Sequence, residues 1–298
     1  MKLSFNDLFL LSQCAISAAY QAGRLIAEKS YHPITVNTKQ GGESLASQVV
    51  TEVDHLSQDI ILQILLPTCE RFDLALLSEE RPDNLQRLEK DYFWCIDPLD
   101  GTLPFIESIP GYAVSIALVS RDGEAHLGVI YDPVEQTLYH AIKGHGAFCN
   151  SKPLKLNATD LASNTTLTFI TDRSFAEFPL FDTVRNELDV IAGDLGHAGS
   201  VLLLQGGAAM NACQVLEKSA ACYFKFPKSQ PGGGSVWDYA ATACLFREAE
   251  AVACDIEGNP LPLNGPDSTY MNHCGVIYAS HSDLAESIIN LYARLKVN

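Results

Sequence analysis

The run Phe93-Trp94-Cys95-Ile96 has the composition of a buried strand, and it ends abruptly in Asp97-Pro98-Leu99-Asp100-Gly101-Thr102. No other feature constrains the fold as much. A stretch suited to a core delivers two carboxylates, three positions apart, onto a turn just before a Gly-Thr step. Pro98 stiffens the chain between them and brings no N–H that would need a partner. Such a turn is a way to hold divalent cations against a phosphate. Two other acidic outposts support this: Ser78-Glu79-Glu80 after the apolar run Leu74-Ala75-Leu76-Leu77, and Trp237-Asp238-Tyr239-Ala240-Ala241 at a predicted helix start.

The 298 residues, 47% of them hydrophobic, are enough to bury a large core as one big domain or two fused halves. The pattern predicts two: 1–155, carrying the Asp-Pro-Leu-Asp-Gly-Thr turn, and 156–298, carrying Trp-Asp-Tyr-Ala-Ala. The formal net charge of −16 argues against binding a nucleic-acid polymer or an anionic membrane surface. It fits a small-molecule substrate, and an anionic one would need bound cations to invert the local field. Ordinary solubility explains the acidic total equally well. Nine cysteines, with no C-x-x-C pair and no zinc-ligand spacing, read as reduced thiols, most of them core hydrophobes. A cytoplasmic setting follows as the expectation, with neither an export signal nor a membrane span.

Leu8, Leu11, Ala15, Ala18, Ala22 and either Leu25 or Ile26 recur at three- and four-residue steps and predict a helix over 6–29. Residues 37–47, around Lys39 and Gly41-Gly42, read as a loop, either a lid or a plain connection. Leu56, Ile60 and Ile64 predict a second helix that starts near Asp54 and is stopped by Pro67. Alternation then predicts a largely antiparallel sheet through 74–77, 93–96, 113–118, 128–131 and 137–141. Gly144-His145-Gly146 closes it in a turn, with His145 structural. Beyond Asn150 the expected order is a strand at 167–170, helices at 176–188 and 199–215, a strand at 220–226, a helix at 237–248, short strands at 251–254 and 274–279, and a final helix. Layered α/β architecture in unequal halves is the expected fold class.

Oxygen ligands suit hard cations such as Mg²⁺, and a phosphate ester supplies further oxygens. Without cations, Glu79, Asp97, Asp100 and Asp238 would push one another's pKa upward. With two or three Mg²⁺ among them the repulsion becomes attraction: Asp97 bridges two ions, the Leu99 carbonyl faces one and Asp100 reaches the other. Gly101 and Thr102, at a predicted short helix start, offer N–H groups to a phosphate. The Thr102 hydroxyl would orient the attacking water if Asp54 holds it by a hydrogen bond. Each piece also has a plainer reading. The Asp-Pro turn is a tight loop, Ser-Glu-Glu a solvated loop start, and Asp238 a helix cap with Trp237 in the core.

Together these residues resemble the lithium-sensitive, Mg²⁺-dependent phosphatases of the inositol monophosphatase family. The likeness runs through Val50-Thr51-Glu52-Val53-Asp54, Glu79-Glu80, Trp94 to Thr102, Gly128-Val129-Ile130-Tyr131-x-Pro133, Gly144-x-Gly146-Ala147-x-x-Asn150, Trp237 to Ala241, Glu248-Ala249 and Gly258-x-Pro260-Leu261. The resemblance implies an αβαβα five-layer sugar-phosphatase sandwich, usually a homodimer. It makes Glu79, Asp97, the Leu99 carbonyl, Asp100 and Asp238 the metal ligands. Asp54, Thr102 and Glu79 become the catalytic group, and Gly101, Thr102, Lys225 and Asp238 face the substrate. In Tyr223-Phe224-Lys225-Phe226-Pro227, Lys225 stands where inositol-specific members carry a glutamate. That segment is similar to the Tyr-x-Arg-x-Pro of the CysQ-type 3'(2'),5'-bisphosphate nucleotidases, in which a cation suits a second phosphate. The implied substrate is adenosine 3',5'-bisphosphate. Inositol monophosphate, another sugar phosphate, and a non-catalytic phosphate-binding regulator are the alternatives. Three places depart from the pattern: Leu103-Pro104 after Gly-Thr, Thr242 after Trp-Asp-Tyr-Ala-Ala, and Glu250-Ala251 where Gly-Gly is usual.

Overall fold

A computed structural model describes residues 2–32, 36–38, 49–156, 165–218 and 220–297. The first half opens with α1 (Phe5–Lys29), a two-stranded ribbon of β1 (Val36–Thr38) and β2 (Val49–Thr51), and α2 (Glu52–Phe72). The predicted loop at 37–47 lies outside the described residues apart from Asn37 and Thr38, which belong to β1. A seven-stranded sheet follows, built in sequence order from β3 (Ala75–Ser78), β4 (Tyr92–Asp100), β5 (Ala113–Ser120), β6 (Ala125–Asp132), β7 (Thr137–Ile142), β8 (Ala147–Cys149) and β9 (Lys152–Leu154). Only its β3–β4 pair is parallel. A short helix, α3 (Thr102–Ile106), interrupts it after β4.

The second half supplies β10 (Thr166–Asp172), α4 (Phe181–Asp194), β11 (Gly199–Gln205), α5 (Ala208–Leu216), β12 (Ala221–Lys225), α6 (Val236–Glu248), β13 (Val252–Cys254), β14 (Val276–Ala279) and α7 (Ser282–Val297). Its sheet has the order β11-β10-β12-β14-β13.

Burial on both faces of β4 explains the layering. Trp94 and Ile96 join a core with Leu11, Ala15, Ala22 and Ile61 of α1 and α2, while Phe93 and Cys95 face Ala240, Ala241 and Cys244 of α6. Helices α5 and α6 lie between the two sheets and share that second core with Tyr223 and Tyr278. The far face of the five-stranded sheet packs Phe169 and Phe224 against Val184 and Leu188 of α4 and Leu284 and Ile288 of α7. The result is the five-layer αβαβα sandwich.

Two expected elements differ. Pro67 lies inside α2, which continues to Phe72. The proline removes one helical N–H, but tertiary contacts hold the turn beyond it. The Thr68 hydroxyl donates to the Leu65 carbonyl at 2.6 Å and accepts from Trp94 Nε1 at 2.9 Å, and Phe72 is buried. The predicted helix at 199–215 is instead β11 followed by α5, with Val201 to Leu204 in parallel register against β10. Gly206-Gly207 separates the two, and Gly207 stands at a left-handed φ of 77°.

Candidate active site

Asp97 and Asp100 close β4, where the register against β5 shifts between them. Asp97 pairs with Ser115, whose hydroxyl donates to the Trp237 carbonyl at 3.1 Å. That bond sets the first turn of α6 over the end of β4. Gly128 lets α6 approach so closely, because a Cβ there would lie 2.2 Å from the Ala241 carbonyl oxygen. Asp238, one turn earlier, thereby meets the β4 carboxylates. Oxygens of Asp97, Asp100 and Asp238 lie within 4.8 Å of one another.

Two of the aspartates are built alike. Thr51 caps α2 and Asp54 returns the bond from the third helical position, its Oδ2 accepting from the Thr51 N–H at 2.8 Å and the Thr51 hydroxyl at 2.6 Å. Ser235 and Asp238 form the same box on α6, with the Ser235 N–H donating to Asp238 Oδ2 at 2.5 Å. Each box fixes one carboxylate oxygen and aims the other. Asp54 Oδ1 accepts from the Thr102 hydroxyl at 3.2 Å, and the Leu99 carbonyl lies 3.3 Å from that hydroxyl. The plainer reading of Asp238 as a cap is therefore part of the answer: Ser235 is the cap residue, and Asp238 answers it.

Asp100 is held from the other half of the chain. Its two oxygens accept the N–H groups of Ala208 at 3.1 Å and Ala209 at 2.8 Å, at the start of α5. The positive end of the helix dipole favours this carboxylate. Three glycines permit the approach: a Cβ on Gly207 would lie 1.8 Å from the Gly111 carbonyl oxygen, and one on Gly101 2.6 Å from the same atom. Sequence reading passed over Gly206, Gly207, Ala208 and Gly111. The signal available was a Gly-Gly pair immediately before a small-residue helix.

Glu79, Asp97, Leu99, Asp100, Gly101, Thr102, Lys225 and Asp238 all line one cavity of about 420 Å³. Asp54 is buried behind Thr102 and meets the cavity through that hydroxyl. Arg173, Ser174 and Tyr270, not singled out from sequence as site residues, also line it, as does part of the loop 228–235, which the sequence reads either as the border of a base or sugar pocket or as a plain connection. Lys225 reaches the cavity with its charge already engaged. Its ammonium lies 2.6 Å from Asp172 Oδ2, donates to the Gly233 carbonyl, and sits 5.8 Å from the centre of the Tyr239 ring. Burial works to lower its pKa, but the Asp172 carboxylate outweighs it and the ammonium stays protonated.

The electrostatics fit a cation. Burial first, then Glu79, Asp100 and Asp238, pushes Asp97 well above the ordinary carboxylate range. Burial and Asp238 do the same to Asp100 against the pull of the Ala209 and Ala208 N–H groups. Asp238 is raised to about 6 by burial and Glu79, opposed by the Ser235 N–H and Lys225. All-oxygen, mutually repelling donors, Asp97 and Asp100 buried and Asp238 partly so, are a set that a hard divalent ion relieves.

A family-level comparison matches residues 8–296 to the inositol monophosphatase family. The chain belongs to that family. Its members are phosphoric monoester hydrolases, and this chain is one; the family generally uses Mg²⁺. It is 32% identical to human inositol monophosphatase 2 over 278 residues, covering 92% of this chain and 87% of that protein. The Nus factor SuhB of Pasteurella multocida is 31% identical over 245 residues, 82% of this chain and 84% of that one. Among solved structures, CysQ of Bacteroides thetaiotaomicron superposes with a TM-score of 0.69 at 26% identity, covering 91% of this chain and 97% of that one. Among the described residues no helix is long and apolar enough to cross a membrane. All nine cysteines are free, and Cys95, Cys213, Cys222, Cys244 and Cys254 are buried.

Proposed function

We propose that this chain removes a phosphate from small anionic phosphomonoesters using two or three Mg²⁺ ions, with adenosine 3',5'-bisphosphate as its substrate. The observation that carries the reading is the convergence of Asp97, Asp100 and Asp238 on one cavity, their oxygens within 4.8 Å of each other. Glu79, Asp97, the Leu99 carbonyl, Asp100 and Asp238 would hold the ions. When bound, Mg²⁺ acidifies the attacking water and stabilises charge on the leaving oxygen.

The chain's own residues do the rest. The Thr102 hydroxyl has one proton, and Asp54 draws it at 3.2 Å. The Thr102 oxygen then presents its lone pairs to the water and orients it for in-line attack. The Thr51 N–H and hydroxyl both bond the other Asp54 oxygen, which turns Oδ1 toward the Thr102 hydroxyl. Gly101 and Thr102 N–H groups face the phosphate, and Asp238 faces the rest of the substrate. Glu79, which follows β3, lines the same cavity but is not among the three carboxylates whose oxygens lie within 4.8 Å of one another. The two halves, 1–155 and 156–298, work as one unit because Asp100 and the α5 amides bridge them. A homodimer in a cytoplasmic setting completes the proposal, and reduced thiols at all nine cysteines suit that compartment.

Phosphate release with Mg²⁺, with and without Li⁺, over a panel containing adenosine 3',5'-bisphosphate and inositol 1-phosphate tests the reading. The expected result is Mg²⁺-dependent turnover, inhibited by Li⁺ and fastest on the bisphosphate. Faster turnover of inositol 1-phosphate would reassign the substrate, and no turnover on any ester would favour a phosphate-binding regulator.

A further inference from the structure

We infer that Gln58 is a positioning residue for Glu79: from α2 its carboxamide grips the turn that carries this carboxylate, and so sets how tightly the site binds its cations. The inference deepens the cation reading of the site and rests on it. Glu79 stands in the turn from Ser78 to Arg81, which the Arg81 N–H closes by donating to the Ser78 carbonyl at 3.2 Å. Backbone pairing puts this turn beside the β4 carboxylates. Ser78 is in register with Ile96, and the Glu79 N–H donates to the Ile96 carbonyl at 3.1 Å, one residue before Asp97. After burial, Glu79 is what most raises the pKa of Asp97. Among the described residues, however, β3 is an edge strand, so the sheet holds the turn from one side.

Gln58 holds it from α2. Its Oε1 accepts from the Ser78 hydroxyl at 2.6 Å, and its Nε2 donates to the Glu80 carbonyl at 3.4 Å, so the two bonds bracket Glu79. Gln58 and Ser78 are both buried, where an unmade bond is costly. The pairing needs an acceptor and a donor on one side chain, which an amide supplies and a carboxylate or a hydrocarbon does not. Its neighbours on the helix act in the same way. Ser57 donates to the Pro98 carbonyl at 2.7 Å, and the N–H of that same peptide, on Leu99, donates to Asp97 Oδ1 at 3.0 Å. Asp54, one turn earlier, takes the Thr102 hydroxyl. Positions 54, 57 and 58 share one helix face, and all three are buried polar residues whose bonds end on different parts of the site. This face sets the spacing between the Glu79 turn and the Asp97–Asp100 turn, and cations held between the two are sensitive to slack in it.

Mg²⁺ binding to the substrate-free chain, read by titration calorimetry, tests the role. Gln58→Met is expected to weaken it about tenfold. Ser78→Ala, the smaller change at the other end of the same bond and the one to read if Gln58→Met does not fold, should weaken it by a comparable factor. On a Glu79→Gln background both substitutions should change Mg²⁺ affinity by less than about twofold, because they act through the Glu79 carboxylate. Thr68→Val serves as the control, since it removes the buried hydroxyl that bonds Leu65 and Trp94 on the same helix. Its Tm should fall while its Mg²⁺ affinity stays at the wild-type value. Wild-type affinity in Gln58→Met or in Ser78→Ala would overturn the inference, as would an equal loss with and without Glu79, and the hydrolase reading would stand. If the wild-type chain binds no Mg²⁺, the cation reading falls and the positioning role falls with it.

Discussion

Replacing Asp238 by Asn should stabilise the metal-free protein while removing activity. Asp238 is raised from 3.8 to about 6 by burial and by Glu79. The native state therefore holds its proton through a window in which the unfolded chain has released it, and wild-type stability falls as pH rises from about 4 to above 6. Well above both values the cost of keeping Asp238 ionised is about 3 kcal/mol. Asn removes the charge and retains an oxygen to accept the Ser235 N–H, so the capping box survives. At pH 8 in EDTA the variant should gain up to about 3 kcal/mol, or roughly 6 °C in Tm for a chain of this size. The gain should vanish near pH 4, where the wild-type carboxyl is also neutral. Mg²⁺ should reverse the order, because ion binding stabilises the wild type in proportion to the logarithm of saturation and has lost a ligand in the variant. Calorimetric melts of both proteins at pH 4, 6 and 8, with EDTA and with Mg²⁺, read all of this. A variant less stable than wild type in EDTA at pH 8, or a gain independent of pH, would refute the reasoning.

Thr102→Val removes the hydroxyl held by Asp54 at 3.2 Å and should lower kcat by about 10²-fold or more, with Mg²⁺ binding by titration calorimetry unchanged. Gly207→Ala places a Cβ 1.8 Å from the Gly111 carbonyl at a left-handed φ of 77°. It should cost about 3 kcal/mol or more, seen as a lowered Tm, and a melt within a degree of wild type would contradict the close approach. Lys225→Met leaves Asp172 without its cation and frees Gly233, so kcat/KM should fall by a similar factor on the bisphosphate and the monophosphate. A fall confined to the bisphosphate would show Lys225 itself to be the second-phosphate ligand.

Local chemistry was legible in the sequence, and long-range pairing was not. The Asp97 to Thr102 turn and the Trp237-Asp238 helix start could be read because each is a contiguous piece whose backbone its own residues dictate. The clasp on Asp100 could not, since its donors, Ala208 and Ala209, sit more than a hundred positions away and contribute only N–H groups. Backbone donors leave no mark of residue type. The state of Lys225 was hidden for a similar reason: position and charge suggested an anion ligand, but Asp172 meets it only when β10 and β12 pair in parallel. Pro67 misled because helix-stopping is a local rule, and the Trp94–Thr68 bond that overrides it is tertiary. Val201 to Leu204 misled because a short apolar run flanked by glycines has no decisive period. Thr242, a departure from the family pattern, found a use: its hydroxyl bonds the Tyr239 carbonyl and the Tyr278 hydroxyl, each at 3.0 Å.

The central claim is that Asp97, Asp100 and Asp238 form one cation site. Anomalous diffraction from crystals grown with Mn²⁺ in place of Mg²⁺ tests it without reference to any substrate. The account predicts anomalous peaks between these three side chains, at roughly 2.1 Å from their oxygens, with the Asp97→Asn crystal losing at least one of them. Crystals in which Mn²⁺ binds elsewhere, or in which Asp238 turns away from the Asp97–Asp100 turn, would contradict it.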